Sequence, residues 1–145
     1  AKTEGARLAP VAGAVLWGEP WTSRFTAIGR HPPFQAVQEE LAVNGWHMAQ
    51  ARKALTTLGA RAWSIRAWAV AYDRAVQTPS RLNDAVKRLL VRFAGPPDAV
   101  PEWTLLDLLI EEVAASYGRA SKHYQDIRVR RGNALLQHPA LVSVA

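Results

Sequence analysis

Between Thr78-Pro79 and the glycine- and proline-rich run at 95–101, the apolar residues Leu82, Val86, Leu89 and Phe93 recur every three or four positions. That spacing lines one face of a helix and no face of a strand. Thr78 reads as the N-cap, and Pro79 suits the first helical position, where its missing N–H would be unpaired anyway. The same period returns after Pro101 in Trp103, Leu106, Ile110, Val113 and Tyr117. Leu105, Leu108 and Leu109 widen that stripe until Thr104, Asp107, Glu111 and Glu112 are its polar remainder, so a helix over 102–117 is expected near the centre of the fold or at a subunit contact. The connection GPPDAVP is short enough to make these two helices antiparallel neighbours.

Further helices follow from the breaks. Thr22 or Ser23 caps a brief helix through Ile28, which GRHPP stops. Pro33 opens a helix over 33–43 that Asn44-Gly45 ends, and a helix over 46–58 ends at Gly59. The next, over 61–77, carries Ile65, Trp68, Tyr72 and Val76 as its expected core stripe. Beyond Gly118 a helix is expected to about Arg130. Gly132-Asn133 then reads as a break before an apolar tail, 132–145, interrupted by His138-Pro139. Residues 1–21, with three Gly and two Pro, read as irregular, with at most a short helix near Val11 to Leu16. No alternating pattern is long enough for a strand. The expectation is an all-α fold, an irregular bundle of about five to seven helices in a single domain.

Composition supports a packed core: 49% of the 145 residues are hydrophobic and 21% charged, far from the profile of a disordered chain. There is no cysteine, which removes disulfides and thiolate chemistry and is compatible with an intracellular, reducing compartment. Apolar stretches such as Leu8 to Trp17, broken by Pro10 and Gly13, fall short of the ~20 residues of a membrane span. Beginning at Ala1 without an initiator Met, the chain is expected to be trimmed or a piece of a longer protein.

The formal charge is +6 with a pI near 10.3, and it is unevenly spread. From Leu41 to Tyr72 there is no carboxylate, yet Arg52, Lys53, Arg61 and Arg66 lie there. Phe93 to Gly118 holds Asp98, Glu102, Asp107, Glu111 and Glu112 with no Lys or Arg. Neutralisation across the helical hairpin accounts equally well for the basic helix after Thr78, but not for 41–72 or for the basic run 119–131. Such windows attract a polyanion or an acidic surface.

Within the first window, AQARKALTTLGARAWSIRAW at 50–68 resembles a helix-turn-helix: a helix, a turn at Gly59, and a second helix with Ile65 in the apolar position. On that reading Arg61, Trp63, Ser64 and Arg66 face the major groove. The pattern departs at Leu55, where a small residue is expected, and an ordinary helical hairpin fits the same residues. Phosphates would be met by Arg52 and Lys53, and by Arg119, Lys122, Arg128, Arg130 and Arg131. Trp63, Ala67, Val70 and Arg74 share the face opposite the Ile65 stripe, and burial on both sides is the favoured account of that face.

Two functions are therefore expected in order: a nucleic-acid-binding module for DNA or RNA, then a structural or adaptor domain acting by self-association or by docking an acidic protein partner. The second draws on the six tryptophans. Trp17 and Trp21 read as interface residues, and Trp68 and Trp103 as core. No phosphate loop, nucleophile motif or metal-spaced histidine pair occurs, so neither an enzyme nor a cofactor is expected.

Overall fold

The computed structural model describes residues 21–141, and every regular element among them is helical. The expected helix at 11–16, and Trp17 with it, lie outside the described residues. Six helices have nine residues or more: α1 (Trp21–Gly29), α2 (Pro32–Asn44), α3 (Trp46–Leu58), α4 (Ile65–Gln77), α5 (Pro79–Arg92) and α6 (Glu102–Ala115). A composite helix, α7, spans 122–137: an α-turn Lys122–Tyr124, a wider π segment Gln125–Gly132, and an α-helical end Asn133–Gln137. A 3-10 turn, Pro139–Leu141, follows. The all-α expectation holds. The chain divides into two compact units, 1–43 and 44–145.

In the second unit, α3 packs on α4 and α5, α5 on α6, and α7 on α6 with its end against α4. Helices α3 and α4 are antiparallel, since His47 at the start of one meets the Ala75 carbonyl near the end of the other at 3.2 Å. The pairs Arg81–Ser116 and Arg88–Glu112 show the same for α5 and α6. The core consists of Ala51, Ala54, Leu55 and Leu58 of α3, Leu82, Ala85, Val86 and Leu89 of α5, and Leu105, Leu106, Leu109, Ile110, Val113 and Ala114 of α6. Ile127 and Leu136 of α7 close it. Each fully buried Leu contributes roughly 1.5–3 kcal/mol.

Helix α4 buries the face of Ala67, Val70 and Arg74 as expected, but leaves the ends of the Ile65 stripe in solvent. Its buried residues are Ala67, Val70, Ala71, Arg74 and Ala75, whereas Ile65 is 68% and Val76 39% exposed. Trp68 and Tyr72 remain half-buried against the core edge. The small residues win because α3 also buries alanines, and two small-residue faces let helix axes approach closely. Trp103, expected in the core, is 49% exposed, because α6 turns Leu105, Leu106 and Leu109 inward instead.

Two further expectations fail, one at Gly132 and one at the start of α4. Gly132-Asn133 does not break the chain, and α7 runs through it. A Cβ on Gly132 would sit 2.6 Å from both Ile110 Cγ2 and the Ile127 carbonyl oxygen, so glycine serves close approach to α6 there. Helix α4 begins at Ile65 rather than Arg61, capped by Ser64, whose Oγ accepts from Ala67 N at 3.2 Å. After α5, Gly95 N donates to Leu90 O at 2.8 Å and Ala94 N to Val91 O at 3.2 Å. This is a Schellman stop, with Ala94 at φ 55° in the position usually given to glycine.

Candidate functional site

The cations and polar residues expected to meet phosphate divide into those bonded within the chain and those standing free of such bonds. Arg61 belongs to the first group. Its Nη1 donates to Val100 O at 2.7 Å and its Nη2 to Pro97 O at 2.6 Å, so it clasps the connection between α5 and α6. Gly59 faces the same connection, where an added Cβ would collide with Asp98 Oδ1. Ser64 Oγ donates to Glu102 Oε1, and its N–H donates to Glu102 Oε2 at 3.0 Å. Trp63 is half-buried, with Nε1 on Gly59 O at 3.3 Å and its ring under the Arg61 guanidinium, 5.1 Å away.

The segment from Gly59 to Ser64 is thus a clasp onto α6 and its leading loop, rather than a short turn presenting a reading helix. Of the residues expected in a groove, Arg66 sits partly buried on the first turn of α4, its Nε without a hydrogen-bond partner among the described residues.

The basic run 119–131 is also largely paired within the chain, though Arg119 and Arg130 stay 76% and 82% exposed. Glu111 on α6 accepts from Arg119 Nη2 at 3.0 Å, Tyr124 Oη at 2.9 Å and Arg128 Nε at 3.1 Å. Arg128 reaches Asp107 as well, at 2.8 Å. The hydrogen bond to Glu111, with burial and the carboxylate's charge adding to it, pushes the Tyr124 phenol above its ordinary range. Arg130 pairs with Asp126 along its own helix at 3.0 Å, and Arg131 with Asp73 of α4. The acidic helix α6 is therefore neutralised from two sides, by Arg88 of α5 at 2.8 Å and by α7. Sequence alone suggested the first side and missed the second.

Arg52, Lys53 and Lys122 are exposed as well, and no ion pair is formed by them among the described residues. Lys53 gains company: with Lys87 of α5 it flanks a groove of about 170 Å³ whose walls include Thr57 and Asn83. Lys87 reaches Asp84 only loosely, at 3.5 Å, with both side chains well exposed, so little of its charge is committed.

A different surface was missed. In α2, Phe34, Val37 and Leu41 follow helical spacing and are 40%, 55% and 63% exposed. No residue of α2 is buried, and Ile28 of α1 is 46% exposed. The spacing of Phe34, Val37 and Leu41 carries a helical period that the sequence shows, but period alone does not say that the stripe is left uncovered. Trp21, the expected interface residue, opens α1. Among the described residues no helix is long and apolar enough to cross a membrane, and no group of three His, Cys, Asp or Glu is placed to hold a metal ion.

No family model, curated protein or solved structure matches the chain.

Proposed function

We propose that the protein is a structural or adaptor module that works by self-association through α1 and α2. The carrying observation is the stripe of Phe34, Val37 and Leu41, exposed on a helix that buries none of its residues. Single exposed apolar residues are ordinary, but large ones aligned along one helix face form a continuous patch of the kind that marks a contact site. Light scattering on the eluting protein at tens of micromolar is expected to give a mass above the monomer, and Leu41→Asp to return it to the monomer with unchanged helix content. A wild-type chain that stays monomeric throughout that range overturns the reading.

A second reading is supported by the Lys53–Lys87 groove: contact with nucleic-acid phosphates across α3 and α5, with Arg52 beside it. It is narrower than composition suggests, because the partly buried Arg61, Arg128 and Arg131 are bonded within the chain. Binding to duplex DNA, single-stranded DNA and RNA is expected to weaken steeply with salt. Joint Lys53→Ala and Lys87→Ala replacement should lower the slope of log K against log salt by about 1.4–1.8. Undetectable binding at low salt removes this reading.

A further inference from the structure

At the junction of α4 and α5, a pocket of about 200 Å³ is walled by Arg74 and Thr78 and, from the opposite side, by Tyr117, His123, Asp126 and Arg131. Arg74 is 2% exposed, and a guanidinium so deeply buried is costly unless its donors are satisfied. Its Nη2 donates to Asp73, a carboxylate it shares with Arg131. Its Nη1 is buried with no partner among the described residues, and so is Thr78 Oγ1. Thr78 is also the N-cap of α5, and its side chain makes no capping bond. The uncapped first turn of a fourteen-residue helix adds the positive end of a dipole.

Arg74 and Arg131 share Asp73 while Asp126 is paired with Arg130, leaving one positive charge in excess beside an unpaired guanidinium nitrogen and an unpaired hydroxyl. These groups call for an oxyanion. The volume lies below the ~300–1,000 Å³ of pockets that take drug-sized ligands, so the anion carries little besides its charged group. Asp126 narrows the chemistry further. A carboxylate in the wall repels a fully deprotonated anion but accepts a hydrogen bond from one that keeps a proton, which hydrogen phosphate does and sulfate does not.

We propose that this pocket binds hydrogen phosphate, free or as the singly protonated terminus of a small phosphomonoester, with Arg74, Thr78 and Arg131 donating to its oxygens and Asp126 accepting its proton. The site is separate from α1, α2 and the Lys53–Lys87 groove, so it stands or falls independently of both functional readings.

Calorimetric titration of the full chain near pH 6, where a phosphomonoester keeps its proton in about half of its molecules, with inorganic phosphate, with sulfate at matched ionic strength and with phosphoethanolamine tests it. Saturable one-to-one phosphate binding is expected, with sulfate weaker by about tenfold or more. Thr78→Val should weaken phosphate by about tenfold, the worth of one hydrogen bond to a charged group, while thermal stability is kept, because that change removes a buried unpaired hydroxyl. Arg131→Gln, checked for helix content, should weaken it at least as much. Binding of phosphoethanolamine identifies a monoester site, and its failure beside phosphate binding identifies the free ion as the ligand. No saturable binding, or phosphate and sulfate binding alike and indifferent to Thr78→Val, which would be an adventitious ion only, overturns the proposal.

Discussion

Gly132 and Ala94 each contradict local propensity, and the structure gives each a reason or a cost. Alanine normally stabilises a helix interior by about 1 kcal/mol over glycine. At 132, however, a Cβ meets Ile110 Cγ2 at 2.6 Å. Gly132→Ala is therefore expected to lower unfolding free energy by about 1–3 kcal/mol, as overpacking does, and urea denaturation reads the sign directly. Ala94 holds a left-handed conformation at φ 55° that disfavours any residue with a Cβ. Ala94→Gly should raise stability by roughly 0.5–1 kcal/mol in the same assay. The sequence left Gly132 illegible: Gly-Asn is a standard helix stop, and the residue that demands glycine there, Ile110, lies on another helix.

Helix α4 shows what periodicity does and does not determine. Its existence and its end at Gln77 follow from spacing and from the break at Thr78-Pro79. Which face turns inward does not, because Ile65, Trp68, Tyr72 and Val76 form an apolar row as regular as the one that is buried. The facing depends on partners distant in sequence: α3 packs on α4, and Val70 and Arg74 are buried along with the alanines. Val70→Ala should accordingly cost about 2–3 kcal/mol, and Ile65→Ala less than about 0.5 kcal/mol. Equal losses would restore the opposite facing. The start of α4 was misplaced for a related reason: Arg61 and Ser64 are bonded to the α5–α6 connection and to Glu102, partners far along the chain.

For the molecule as a whole, fold class was legible from the helical period and the absence of alternation, whereas the disposition of charge was not. A net charge of +6 says how many cations exceed carboxylates, and nothing of which ones face each other. Glu111, with Arg119, Tyr124 and Arg128 around it, could be assembled only once α7 was seen lying on α6. Every buried apolar residue among those described, from Ala51 to Leu136, belongs to the unit 44–145. A chain of 44–145 alone is therefore expected to unfold cooperatively with the helix content of its own elements, and to be monomeric by light scattering. If it remains associated, α1 and α2 are not the contact surface.

The alanines buried on both α3 and α4 set the latitude the molecule has for change over evolutionary time. Ala51, Ala54, Ala67, Ala71 and Ala75 are each at most 1% exposed, so a larger side chain at any of them overpacks the core around it, and a smaller one, glycine, loosens the helix backbone. Such a seam admits almost no drift. The outward rows, where Ile65, Val76 and Val91 stand in solvent, are where substitutions leave the packing beneath undisturbed.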